Sequence, residues 1–317
     1  AMQAVILAAG KGTRLHPITL KRSKAMLPIL GTPIVERVMG DIAANGVGEF
    51  ILVASPEDEE IVDHFQQSTQ LRSEVRFVHQ PERRGTADAL RCAAPYIAGD
   101  FILSACDNLI SAAHVRQMLA LWKTSPRPNA ILTLMPVEPE RTGSAGIVAV
   151  EGPWVTRIVE KPAPGAAPSN VASLPLYLFS RRILDFLLEI QLSARGEYEL
   201  QDAIQMLIER EGRVRGETVG RRLTLTSAAD LLTINLRYLS QGGPPHVAPA
   251  AVGANTRLIM PLRIESGVVI GANSTIGPNV YLERDCRVRD GVTIQDSMVL
   301  RGAVVPKGAV LNDQVVA

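Results

Sequence analysis

The sequence predicts an α/β chain in two parts: a mostly parallel sheet with helices on both faces, then a short parallel β-helix. Three observations predict it. Up to about residue 240, short apolar runs alternate with longer amphipathic stretches. A Gly/Pro break, QGGPPHVAP (241–249), follows. Beyond it an aliphatic residue recurs at every sixth position. A length of 317 residues suits two domains, each able to bury its own core. The expected division is 1–240, a linker at 241–250, and 251–317.

The first part is read from its runs. AVILAA (4–9), FILVAS (50–55), VRFVHQ (75–80), FILSAC (101–106) and AILTLMPV (130–137) are continuous apolar segments of strand length. Helical patterns lie between them near 33–46, 57–70, 86–97 and 112–123. Strand and helix in alternation give a Rossmann-like, doubly wound sheet. Ligands on such sheets bind beyond the carboxyl ends of the strands. Three polar loops fall there: LAAGKGTR, HQPERRGTADAL and SACDN.

The second part is read from its period. Val252, Leu258, Ile264, Ile270, Ile276, Leu282, Val288, Ile294 and Leu300 are spaced six apart. A second row runs through Val268, Ser274, Val280, Cys286, Val292, Met298, Val304 and Val310. The pattern resembles the hexapeptide repeat of the left-handed parallel β-helix, in which three hexads make one triangular coil. Over 252–305 that gives about three coils.

Charge and composition exclude several classes. Lys+Arg number 33 and Asp+Glu 32, so the net charge is +1 and no global basic field invites nucleic acid or an anionic membrane. No apolar run approaches membrane-spanning length. No signal-peptide pattern opens the chain, and Ala1 ahead of Met2 reads as a cloning remnant. Cys92, Cys106 and Cys286 are an odd number without metal spacing, which fits a reduced, cytoplasmic setting. Five scattered histidines offer no paired ligand motif.

The opening loop, VILAAGKGTRL (5–15), is a glycine turn after a strand, where backbone N–H groups can cradle an anion. Leu15 stands where a dinucleotide fingerprint needs its third glycine, and no Ser or Thr follows the lysine as a P-loop requires. Arg14 follows the turn and Lys24 lies ten residues beyond it. Two cations beside such a turn suit several phosphate groups.

LAAGKGTRL, with SKAMLPI (23–29) and GTPI after it, resembles the signature of the sugar-1-phosphate nucleotidylyltransferases. QPERRGTADAL, ACDN, IVEKP and GEYELQDAI are similar to later motifs of that family, in the same order. The resemblance covers residues 2 to about 240. It implies attack of a sugar 1-phosphate oxygen on the α-phosphorus of a nucleoside triphosphate, with release of pyrophosphate and no covalent nucleophile. Leu7, Ala9, Gly10, Lys11, Gly12, Thr13 and Arg14 are then the triphosphate cradle. Lys24 bridges the phosphates of both substrates, and Lys161 holds the sugar phosphate. Gln80 and Gly85 face the base; Thr86 serves a base carbonyl or caps the helix that follows. Asn108, Gly146, Glu160 and Asn170 line the sugar. Asp107 is a ligand for Mg²⁺, the implied cofactor.

The chain departs from the family near its second metal position. Aligned on DLL, RRLTLTSAADLLTIN (221–235) puts Thr224 where relatives carry a metal-binding Asp, which makes Thr224 a doubtful ligand, and Arg222 where they carry Trp. Pro175 replaces a pocket glycine. The expectation is nucleotidyl transfer from dTTP or UTP to glucose 1-phosphate. ATP or GTP, and mannose or N-acetylglucosamine 1-phosphate, stay open. The alternative is a catalytically reduced regulatory homologue that binds nucleotide or nucleotide-sugar. Residues 252–317 hold no histidine, which argues against acyl transfer, so the β-helix is expected to build a homo-oligomer.

Overall fold

The computed structural model describes residues 2–242, 246–248 and 250–317. Ala1 and part of the 241–250 break lie outside the described residues. The chain divides into two units: Ala1–Gly10 with Val35–Leu223, and Lys11–Ile34 with Thr224–Ala317.

The first unit is organised by one sheet, with nine strands among the described residues. They are β1 (Gln3–Leu7), β2 (Glu49–Ala54), β3 (Glu74–His79), β4 (Phe101–Ala105), β5 (Ala130–Pro136), β6 (Gly146–Glu151), β7 (Trp154–Glu160), β8 (Val171–Phe179) and β9 (Val214–Thr218). Their order is β3-β2-β1-β4-β8-β5-β9-β7-β6. The first five expected strands are all present. Amphipathic helices α1 (Ile34–Ala43), α2 (Glu59–Gln67), α3 (Thr86–Ala93) and α4 (Ala112–Leu121) stand where the helical patterns were. The sheet is mixed, however, not mostly parallel. β3, β2, β1 and β4 run parallel, but β8 is antiparallel to both β4 and β5. The reason is local: beyond β5 the chain returns without a crossover helix, and β6 and β7 form a hairpin across Gly152.

The four parallel strands end level. Leu7 faces Val53 and Ala105, and the Ala8 N–H donates to the Val53 carbonyl at 2.8 Å. Val5, Ile51, Leu103, Leu132 and Phe179 are buried from this sheet. Helix α5 (Ile183–Phe186) and helix α6 (Leu200–Arg210) add Ile183, Phe186, Ile204 and Leu207 to the same core.

The second unit contains helix α7 (Ala228–Ser240) and a coil of short strands. Ser227 caps α7 and Asp230 completes a capping box. The coil has three parallel faces visited in rotation. Leu262–Ile264, Val280–Leu282 and Ser297–Val299 stack on one face, with His246–Val247 at its start. Val269–Ile270 pairs with Arg287–Val288 on the second, and Thr275–Ile276 with Thr293–Gln295 on the third.

Ile264, Ile270, Ile276, Leu282, Val288 and Ile294 point inward, as their spacing predicts. Leu300 does not continue that ladder. Leu282 pairs with Val299, Val288 with Val305 and Ile294 with Leu311, so the last turn is one residue short. Side chains alternate along a strand, so a shift of one swaps inside for outside. Val304 and Val310, expected in the second row, are accordingly 47% and 72% exposed. At the other end Val252 is also on the surface.

Candidate active site

The opening loop begins where β1 stops. Ala8 and Ala9 are buried and Gly10 is exposed. The Ala9 carbonyl accepts from Arg83 Nε at 2.6 Å, and Arg83 also donates to Ser55 Oγ. Arg83 was not among the expected residues, although its place in QPERRG offered the signal.

Lys11, Gly12, Thr13, Arg14 and Lys24 belong to the second unit. Gly12 turns the chain at φ +60° into a single 3₁₀ turn, Thr13–Leu15, which leaves Arg14 exposed and buries Leu15. A Cβ on Gly12 would lie 3.2 Å from the Lys24 Cβ, so the eleven-residue excursion between them folds back on itself. Thr19 Oγ1 closes it by donating to the Gly12 carbonyl at 2.8 Å.

The 80–88 loop is braced from within the first unit. Gln80 is buried, and its Nε2 donates to Asp88 at 2.9 Å. Gly85 has φ +104°, and a Cβ there would come within 2.5 Å of the Tyr198 carbonyl oxygen. That close approach fastens QPERRGTADAL to GEYELQDAI, helped by Tyr198 N–H to Arg84 carbonyl at 2.7 Å. Thr86 Oγ1 accepts from the Leu200 N–H, so it satisfies the open first turn of α6 rather than of its own helix.

A cluster of polar side chains forms where β6, β7 and β8 come together. Gly146 pairs with Glu160 on one side and Ser173 on the other. A Cβ on Gly146 would meet Glu160 Oε2 at 3.1 Å and Gln201 Cγ at 3.2 Å. Tyr177 faces Ser173, Glu160, Arg222 and Gln201, and burial pushes its hydroxyl pKa up to about 12. Pro175 falls at a β-bulge between Leu174 and Tyr177, where the ladder needs no N–H from it.

Four buried atoms of this cluster have no hydrogen-bond partner among the described residues: Asn108 Nδ2, Glu160 Oε2, Ser173 Oγ and Gln201 Oε1. Buried polar atoms are costly when unmatched, so the group invites a ligand rich in hydroxyls. Burial raises the Glu160 pKa, with Lys161 opposing it. Lys161 Nζ lies 3.7 Å from Glu160 Oε1 and is itself half-exposed. Asn170 is exposed, three residues before Ser173, and its carbonyl accepts from the Val137 N–H at 2.9 Å.

Asp107 sits just past β4, half-buried, with Asn108 buried beside it. Arg222 donates its Nε–H to Asn108 Oδ1 at 2.7 Å. The Asp107 charge favours the arginine's cation, although burial lowers its pKa. Arg222, Tyr177, Ser173 and Gln201 were not expected site residues. Arg222 and Pro175 were visible only as departures, and Gln201 lay unmarked in GEYELQDAI.

Comparison with known proteins fits this geometry. The nucleotidyl transferase family model matches residues 3–221, and a GMPPB C-terminal domain model matches 258–317. A bifunctional protein GlmU of Methanococcus maripaludis is 33% identical over 76% of this chain, which spans 55% of that relative's length. A glucose-1-phosphate thymidylyltransferase of Streptomyces griseus is 29% identical, covering 96% of this chain and 88% of its own. A crystal structure of UDP-glucose pyrophosphorylase complexed with UDP-glucose superposes with a TM-score of 0.70 at 22% identity, over 76% of this chain and 99% of that one. With the family model covering most of its length, the chain belongs to the nucleotidyl transferase family.

Proposed function

We propose that the protein transfers a nucleoside monophosphate from a nucleoside triphosphate to a sugar 1-phosphate, releasing pyrophosphate. The observation that carries this reading is the set of unmatched buried polar atoms around Gly146, Glu160 and Gln201, with Lys161 3.7 Å from Glu160 and the Asp107 charge felt by Arg222. It fits a sugar with a charged phosphate at one end. Uridylyl or thymidylyl transfer to glucose 1-phosphate is favoured, since relatives of both kinds resemble the chain. ATP and GTP, and mannose or N-acetylglucosamine 1-phosphate, are the competing substrates.

In this reading the segment Leu7 to Arg14 cradles the triphosphate, with Arg14 forking onto it. Lys24 bridges the two substrates' phosphates and Lys161 fixes the acceptor phosphate. The acceptor oxygen is already anionic, so positioning and charge neutralisation suffice. Gln80 and Gly85 shape the base-facing loop. Asn108, Gly146 and Glu160 receive the sugar, with Asn170 at the margin.

The donor set fits a Mg²⁺ that takes most of its ligands from water and substrate phosphate. Asp107 would hold it, and among the described residues no group of three His, Cys, Asp or Glu side chains could hold a metal alone. Bound there, the ion would neutralise phosphate charge. Thr224, a neutral hydroxyl, adds little to such a site.

The coil is read as a left-handed hexapeptide β-helix that joins copies of the chain. Residues 1–240 are read as the catalytic domain and 241–250 as the linker. No helix among the described residues is long and apolar enough to cross a membrane. The protein is read as a cytoplasmic enzyme whose partners are its two small substrates.

The test is a matrix of triphosphates against sugar 1-phosphates with Mg²⁺, scored by pyrophosphate release. Turnover with one pair is expected. Binding without turnover across the matrix would instead favour a regulatory homologue, a reading that the arginine beside Asp107 supports.

A further inference from the structure

In the second unit the opening segment is fastened to the coil. Arg22 forms a fork on Glu283: Nη1 lies 2.9 and 3.0 Å from the two carboxylate oxygens, and Nη2 lies 2.9 Å from Oε1. Both side chains are over nine-tenths buried. Arg22 Nη2 also donates to the Met26 carbonyl at 2.9 Å. Met26 ends the 3₁₀ turn Lys24–Met26, so one guanidinium ties the coil to the turn that carries Lys24.

The hairpin that follows is held on the same side. Asn235 of α7, fully buried, accepts from the Leu30 N–H at 2.8 Å and donates to the Pro28 carbonyl at 2.9 Å. The Tyr281 hydroxyl accepts from the Gly31 N–H at 3.0 Å and donates to Glu265 at 2.9 Å. Tyr281 sits between Val280 and Leu282, which point into the coil's core, so its own side chain points outward. It is nonetheless fully buried. This coil face is therefore covered, and the 22–31 segment is part of its cover.

We propose that Glu283 is a positioning residue for nucleotidyl transfer, holding the Lys24–Met26 turn in place through Arg22. The inference rests on the reading of Lys24 as the bridge between substrate phosphates. It makes the coil part of the catalytic machinery as well as an assembly device. A buried ion pair gains little net stability after desolvation, but its fork geometry fixes orientation closely. Small displacements of a charged group at a phosphoryl-transfer site are costly in rate.

The experiment is a double-mutant cycle in the full chain: Glu283→Gln, Lys24→Ala and both together. Glu283→Gln should lower kcat roughly tenfold with little change in either KM. Added to Lys24→Ala, it should change kcat by less than about twofold, because the group it positions is gone. Hydrogen exchange should quicken in residues 22–27 of Glu283→Gln. An unchanged kcat in Glu283→Gln, or an equal loss in both backgrounds, overturns the proposal. An unchanged kcat in Lys24→Ala would instead sink the reading of Lys24. If Glu283→Gln fails to fold, Arg22→Lys serves the same cycle, since an ammonium cannot reproduce the fork and the Met26 bond together. Loss in the native background alone supports the proposal; no loss, or equal loss in both, overturns it.

Discussion

Arg222 donates to the side-chain oxygen of Asn108 at 2.7 Å, one residue along from Asp107. A fixed cation therefore stands beside the carboxylate that would hold a metal. For a divalent ion and a unit charge roughly 6 Å apart in a water-like dielectric, the repulsion is about 1.4 kcal/mol. Arg222→Gln should thus tighten Mn²⁺ binding about tenfold, read by the loss of free Mn²⁺ signal in electron paramagnetic resonance. Unchanged affinity would mean that the arginine's charge does not reach the metal position.

Glu160 should govern acceptor binding. Replacing it with Gln keeps the shape but removes a carboxylate acceptor, and KM for the sugar phosphate should rise roughly tenfold or more with a smaller effect on kcat. Burial raises this carboxyl's pKa above its ordinary value, so the ionised form is lost at a higher pH than for a free glutamate. KM for the acceptor should climb on that acid limb. In Glu160→Gln the limb should shrink to what the substrate's own phosphate contributes.

Gly85→Ala should destabilise the first unit. The new Cβ would meet the Tyr198 carbonyl at 2.5 Å, at a φ of +104° that L-residues rarely adopt. A loss of about 2–4 kcal/mol is expected, seen as a lower denaturation midpoint. A midpoint equal to the parent's would mean that the 80–88 loop can part from the Tyr198 segment without cost.

Asp41 gives a stability test with a defined sign. Burial raises its pKa from 3.8 to about 6, against the pull of Arg37. The folded chain therefore holds this proton more tightly than the unfolded chain. The stability it contributes is complete below the ordinary pKa and is lost as pH rises through about 6. Asp41→Asn should raise stability at neutral pH by about 1 kcal/mol after solvent screening, and by nothing near pH 4. Thermal melts at the two pH values check it.

The parallel strands and their loops were legible because buried strands write continuous apolar runs. The place of Asp107 just past a strand was legible because it follows one of them. The cluster around Tyr177 was not, because it depends on a bulge at Pro175 and on pairing between strands far apart in sequence. Gly85 was singled out for the base it would face; its backbone conformation answers first to Tyr198. Glu283 looked like one more coil residue, since nothing in a six-residue period announces that Arg22, far upstream, will close on it.

The short last turn of the coil says how such a structure keeps count. Val299, Val305 and Leu311 reach the interior although their distance from the previous layer is one residue less than the period. The corner near Asp296, left-handed at φ +46°, absorbs the difference. Length is thus elastic at the bends and rigid along the rungs. An insertion at such a corner would be taken up as slack, whereas the same insertion inside Ser297–Val299 would turn the rest of that rung inside out.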